Sequence, residues 1–316
     1  MNIWKLSIKT NTTMGYKETL EKCIDKGIVC VGWHHGYLDN HPKDLNEAQA
    51  TVKKIWGKWP YQLTTFLEKL KEDDYIWIHQ HGFYYLCKVT SNTLKFGKDI
   101  DADFVKYDFG HAREVQFVTV PEKYVSGKVQ RGTIAQRMIQ RIKLNDNEKN
   151  YVVELFKNLK NNKDWVLGTK DLNTLEGKIK EANIEDIFSA LSPDDTEDII
   201  AAYLQTEGWI IIKSTCFRSK SNFEFEMLHK DGTTGYIQVK TGSIKLNPGK
   251  YEKYENTNVK IFLFATIDSE YNNQKNIELI KKSIIHSWIV ANIWALPISL
   301  KYRLYTYLTL KGQENA

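Results

Sequence analysis

Two short runs of strict alternation constrain this chain most: Phe223-Glu224-Phe225-Glu226-Met227 and Tyr236-Ile237-Gln238-Val239-Lys240. Side chains on a strand alternate between faces, so the first run is expected to put Phe223, Phe225 and Met227 on one side and both glutamates on the other. The same rule turns Ile237 and Val239 inward and leaves Gln238 and Lys240 together on the opposite side. Lys230-Asp231-Gly232-Thr233 between them is turn chemistry, so a hairpin is expected with four polar groups converging on one patch. Such a face has two readings. An ordinary solvated hairpin carries cross-strand pairs between Glu and Lys. A catalytic one would hold Mg2+, or Mn2+ in its place, through carboxylates, an amide oxygen and waters. Lys240 would then serve the attacking water and offset charge on a phosphate.

The surroundings suit a mixed sheet. Ser192-Pro193-Asp194-Asp195 carries N-cap chemistry and a proline fit for a first helical turn, predicting a helix through Ile199, Ile200, Tyr203 and Leu204 that stops at Gly208. Glu197 on that helix could supply a further carboxylate. Strands are expected at 209–212, 223–228, 236–240 and 259–265, with helical patterns after them. Residues 283–300 form the longest apolar stretch, but His286, Asn292 and Pro297 within it fit an amphipathic or buried helix better than a bilayer span. An α/β domain is therefore expected over 191–316.

The front of the chain reads differently. Strand signals fall at 3–8, 28–33, 75–79, 83–89 and 114–120, and five of the nine tryptophans precede residue 80. This rhythm predicts a small α+β or β-barrel domain over 1–143. Residues 144–190 turn polar, with helical spacing at Val152, Leu155, Phe156 and Leu159, and read as a helical connector.

With 316 residues, 42% hydrophobic and 26% charged, the chain is neither disordered nor collagen-like, and its four scattered cysteines make no disulfide scaffold. Cys23, Cys30, Cys87 and Cys216 read as buried, reduced thiols, and the start lacks a secretory pattern, so a cytoplasmic protein without a membrane segment is expected. The net charge of +5 is mild, but Lys123, Lys128, Arg131, Arg137, Arg141 and Lys143 follow one another without an acid between them. That stretch is either a phosphate-contacting surface or a solvated helix face.

The run Glu197-Asp198-Ile199-Ile200, Gly208-Trp209, Ser214-Thr215-Cys216, Phe223-Glu224-Phe225-Glu226 and Gly235-Tyr236-Ile237-Gln238-Val239-Lys240-Thr241-Gly242 resembles the PD-(D/E)xK nuclease superfamily, most closely its Mrr-like restriction endonuclease branch with a QxK element. The resemblance implies a restriction-endonuclease-like fold with Glu197 as helix acid, Glu224 as metal-binding strand acid, and Gln238 and Lys240 as QxK. Glu226, on the same face, stays an alternative metal ligand. In the front domain Trp4-Lys5-Leu6-Ser7-Ile8-Lys9, Val31-Gly32-Trp33, Asp73-Asp74-Tyr75-Ile76-Trp77-Ile78 and Gly127-Lys128-Val129-Gln130-Arg131-Gly132-Thr133-Ile134 resemble the EVE branch of the PUA-like fold, related to YTH domains. That resemblance implies a PUA-like β-barrel that binds nucleic acid and stacks a modified base between aromatic rings.

Together these readings predict a modification-dependent DNA endonuclease of the restriction or phage-defence type, acting with magnesium. Trp33, Tyr37 and Trp77 are the expected base-pocket residues. Lys128, Arg131 and Arg137, with Lys245 and Lys250, are the expected phosphate contacts. Two cuts in a duplex would make a homodimer through the carboxy-terminal helices natural. The competing expectation is a non-catalytic reader of modified DNA or RNA whose nuclease-like domain is a scaffold. His34, His35, His79 and His81 raise a zinc site, but neither a cysteine pair nor an acid completes four ligands at familiar spacing.

Overall fold

The computed structural model describes the chain except residues 9–15, 34–41, 101–108, 135–136, 162–168, 217–222, 242–244, 252–253, 255–258, 268–275 and 315–316. It is mixed α/β, with two mixed sheets in two compact units, residues 1–166 and 167–316.

In the first unit six strands pair in the order β2-β5-β4-β3-β1-β6. They are β1 (Ile3–Leu6), β2 (Ile28–Val31), β3 (Tyr75–Gln80), β4 (Phe83–Phe96), β5 (His111–Val120) and β6 (Ile139–Ile142). β1 runs parallel to β3, and the other pairings are antiparallel. The β3–β4 connection is a two-residue turn in which His81 and Gly82 have φ of 52° and 79°, the left-handed geometry that matches strand twist. Among the described residues no ladder joins β2 to β6. The sheet stays open where the sequence reading expects a barrel. Both edge strands have four residues and offer few ladder groups, while a register shift between Val89 and Leu94 breaks the β4–β5 ladder.

Helices cover both faces of this sheet. On one, α1 (Tyr16–Lys26), α2 (Leu45–Trp56) and α3 (Tyr61–Leu63, continued by a π-helical segment Thr64–Lys69) bury Leu20, Cys23, Ala48, Val52, Leu63 and Phe66 against β-strand residues such as Ile28, Ile76 and Cys87. The wide π turn leaves carbonyls that the buried Arg113 satisfies, its Nε donating to Phe66 O at 2.9 Å and Nη2 to Leu67 O at 2.6 Å. Burial lowers that guanidinium's pKa to about 10, so it stays charged at neutral pH.

The other face carries α4 (Gly127–Ile134) and α5 (Asp146–Lys160), packed on β1, β3, β4 and β5. Tyr75 meets Phe156 edge-on at 5.5 Å, and Tyr151 donates to Tyr124 O at 2.8 Å. Trp77 alternates onto this covered face and is 1% exposed, so it is a core residue and not the base-pocket wall that the sequence suggests. The cause is tertiary: a sheet covered on both sides leaves a central strand no solvent face.

The second unit has five strands in the order β11-β10-β9-β8-β7: β7 (Trp209–Ile211), β8 (Phe225–His229), β9 (Thr234–Lys240), β10 (Val259–Ala265) and β11 (Ile277–Leu279). β9, β10 and β11 are parallel, and β8 is antiparallel to both β9 and β7. The expected hairpin is present, closed by a turn with Gly232 at φ 87°. Gly235 is there for space: a Cβ would lie 2.6 Å from the Trp209 ring, which reaches across the sheet.

One face of this sheet, with Phe225, Met227, Ile237, Val239, Phe262 and Phe264, packs under α6 (Thr169–Glu181), α7 (Ile184–Ala190), α8 (Pro193–Thr206), α9 (Lys282–Ala291) and α10 (Ile298–Glu314). Ser192 caps α8 with a capping box to Asp195, as its sequence predicts. The apolar run at 283–300 divides at Asn292 and Pro297 into nearly all of α9, a 3-10 turn (Ile293–Ala295) and the start of α10. The stretch read as a connector also divides: α5 belongs to the first unit, while α6 and α7 supply Leu175, Ile179, Ile187 and Phe188 to the second core. Among the described residues no helix is long and apolar enough to cross a membrane.

Candidate active site on the second sheet

The opposite face of the second sheet carries a smaller cluster of Phe223, Leu246, Tyr251, Ile261, Leu263, Ala265 and Ile277. Phe223 belongs here, stacked on Tyr236 at 4.8 Å, and not with Phe225 and Met227 as strict alternation predicts. Strand β8 begins only at Phe225, and the chain bends at Glu224, so the period-2 rule stops one residue too early for Phe223.

That bend brings Glu224 to Gln238. The Glu224 backbone N–H donates to Ile237 O at 2.8 Å, so Glu224 bonds the same residue that the ladder pairs with Phe225, an irregularity at the start of the strand. Gln238 is 5% exposed, and its Nε2 donates to Glu224 Oε1 and, at 3.2 Å, to Val239 O. Tyr251, buried beside it, donates its hydroxyl to Gln238 Oε1 at a long 3.5 Å. Burial pushes the Tyr251 phenol up, helped by the nearby Glu224 charge. Lys240 ends β9 two residues beyond Gln238, half-buried and on the same face.

Glu226 is also half-buried on this face. Its backbone N–H donates to Thr215 Oγ1 at 2.9 Å, which anchors the short helical turn after β7 to β8. Glu197 is half-buried on α8, whose neighbours Thr196, Ile199 and Ile200 face the core. The structure does not bring Glu197, Glu224 and Glu226 together: among the described residues no three His, Cys, Asp or Glu side chains form a group that could hold a metal. What it does bring together is Glu224, Gln238 and Tyr251, with Lys240 next along the strand. Because β8 alone runs antiparallel, its start lies at the carboxyl ends of β9 and β10, the edge where open α/β sheets bind ligands. Tyr251 escapes sequence reasoning, since no spacing rule links it to a strand residue across a loop.

In the first unit Trp33 is half-buried with φ 70°, a left-handed conformation that a bulky residue rarely adopts. His111 lies against the same turn, its Nδ1 3.0 Å from Gly32 O; a carbonyl only accepts, so Nδ1 carries the proton. Trp59 meets His111 edge-on at 6.4 Å and, like Trp33, packs partly buried on the core. Tyr37, His34 and His35 lie outside the described residues, as does the side chain of Arg131. Arg137 is exposed. Lys128 is committed elsewhere, 3.1 Å from the buried Glu148 that completes the capping box of α5. His79 stacks on Tyr84 at 4.3 Å while His81 occupies the hairpin turn. Cys23, Cys30 and Cys87 are buried, whereas Cys216 is exposed, against expectation, because the turn after β7 carries it to the surface.

No family model, curated protein or solved structure matches this chain.

Proposed function

We propose that the protein is a metal-dependent DNA endonuclease of the Mrr-like, PD-(D/E)xK kind, guided by its front domain to DNA that carries a modified base. The observation that carries this reading is the convergence of Glu224, Gln238 and Lys240 on one face at the carboxyl edge of parallel strands. A structural hairpin has little use for a half-buried glutamate held against a neutral amide.

The donor set fits a magnesium ion held mostly by water, because Mg2+ is commonly bound through one or two carboxylates. Glu224 would hold it, with Glu226 the second carboxylate of the same face. The chemistry such an ion supplies is polarisation of the scissile phosphate. Lys240 orients the attacking water and offsets the negative charge that grows on the phosphate oxygens. In the front unit, the partly buried Trp33 and Trp59, near the end of β2, are the rings that would stack an extruded base. Exposed Arg137, Arg141 and Lys143 supply cations for backbone phosphates. The setting is cytoplasmic, and a second copy would provide the second cut of a duplex.

A reader without catalysis is the competing function, and what favours it is Gln238 itself, a neutral side chain where a second acid would strengthen a cation site. The test is cleavage of unmodified and base-modified duplex DNA with magnesium by the native chain and Lys240→Ala. Cutting of modified DNA that Lys240→Ala loses by about 10³-fold, with folding intact, supports the nuclease. Binding of modified DNA without any cut leaves the reader.

A further inference from the structure

We infer that Gln238 is not a metal ligand but a positioning residue, a hydrogen-bond donor that aims the Glu224 carboxylate, and that Tyr251 locks it in that orientation. The inference rests on the nuclease reading for its purpose, though not for its geometry.

The two ends of a glutamine amide are set by what surrounds them, and here the surroundings agree. Val239 O can only accept, and it lies 3.2 Å from one amide end. An ionised Glu224 can only accept, and it contacts the same end. That end is therefore the NH2. The other end faces the Tyr251 hydroxyl, a donor. Rotating the amide by half a turn would set its oxygen against two acceptors and its NH2 against the hydroxyl, losing both bonds from the NH2 in a site that is 5% exposed for Gln238.

The oxygen that a cation would require is thus turned away from Glu224 toward Tyr251. The NH2 bonds one oxygen of the carboxylate, Oε1, so it fixes the group while Oε2 stays available to a cation. Gln238 is tied at both ends, to its own strand and to Tyr251 on the loop that follows. Tyr251 is held in turn by Phe223, whose ring lies 5.8 Å from its own. The order of the site runs from a loop aromatic through an amide to the acid.

The two roles of Gln238 predict opposite consequences for Tyr251→Phe, which removes only the hydroxyl. If Gln238 positions Glu224, the freed amide loosens the carboxylate, and Mn2+ binding to the full chain, read by electron paramagnetic resonance, weakens by about five-fold. If Gln238 Oε1 were a ligand, the hydroxyl would compete with the metal, and its removal would leave Mn2+ binding unchanged or tighter; that result overturns the inference. A thermal melt confirms that Tyr251→Phe is folded.

A second arm needs no metal. In the metal-free chain, the Gln238 side-chain NH2 resonances, assigned by their loss in Gln238→Glu, are expected to shift in both Glu224→Ala and Tyr251→Phe. If neither variant moves them, the positioning role is wrong whatever the metal does. Retention of native Mn2+ affinity by Glu224→Ala would instead sink the metal assignment of the nuclease reading, while these resonances still report on the amide.

Discussion

Glu148 in the first unit and Glu224 in the second are both glutamates drawn out of water, and their surroundings are opposite. Glu148 is 2% exposed, yet its charge is met by Lys128 at 3.1 Å and by the Asn145 backbone N–H at 2.7 Å. Glu224 keeps partial contact with solvent and is met by an uncharged amide, and among the described residues no ion pair reaches it. A buried carboxylate with a cation and a capping bond is fully compensated and belongs to the architecture. A half-buried one facing a neutral donor has no such compensation among the described residues. The same contrast separates Lys128, committed to α5, from Lys240, which makes no ion pair among the described residues.

Replacing each acid tests the contrast most strongly. Glu148→Ala leaves Lys128 without its partner and the Asn145 N–H without its acceptor, and should lower unfolding free energy by about 3 kcal/mol in urea titrations. Glu224→Ala should change stability by less than about 1 kcal/mol and abolish Mn2+ binding. Equal losses of stability would erase the distinction. A smaller effect concerns the front unit alone: Trp33→Ala should weaken binding of base-modified DNA by about ten-fold, as lost stacking does, and leave unmodified DNA binding nearly unchanged. A fluorescence anisotropy titration with both duplexes separates a stacking face from a packing one.

The smallest effect lies at the hairpin turn. Backbone and side-chain hydrogen bonds from Thr233, with one from His229, lower the exposed Asp231 carboxyl to about 2. Its folded pKa is depressed, so its contribution is present above the ordinary aspartate range near 4 and is lost as pH falls toward 2. Urea midpoints measured from pH 5 to pH 2 should fall slightly more steeply for the native chain than for Asp231→Asn.

Much of the second sheet was legible because its signals are local. Alternation in Phe225–His229 and Thr234–Lys240, with a glycine able to take positive φ between them, specifies a hairpin whatever surrounds it. Ser192 and Pro193 mark a helix start in the same local way. What was not legible depends on partners distant in sequence. Nothing in the β3 sequence says that α4 and α5 will cover Trp77, and nothing in β9 says that the chain beyond it will lay Tyr251 on Gln238. The polar stretch after residue 143 shows helical faces but not which sheet each helix seeks. Phe223 misled for a further reason: alternation is a property of strands, and at Phe223 the strand has not yet begun.

The hairpin's geometry also makes its turn a ruler. Glu224 and Gln238 are joined through Lys230-Asp231-Gly232-Thr233, which lies at the far end of β8, about 17 Å from the acid at strand rise. One residue inserted in that remote turn and absorbed as a slip of β9 would move Ile237 into the place of Gln238 beside Glu224 and exchange the faces of every side chain on the strand. The acid, the amide and the lysine are therefore inherited as one measured length of chain, and changes in that length act on the site without touching it.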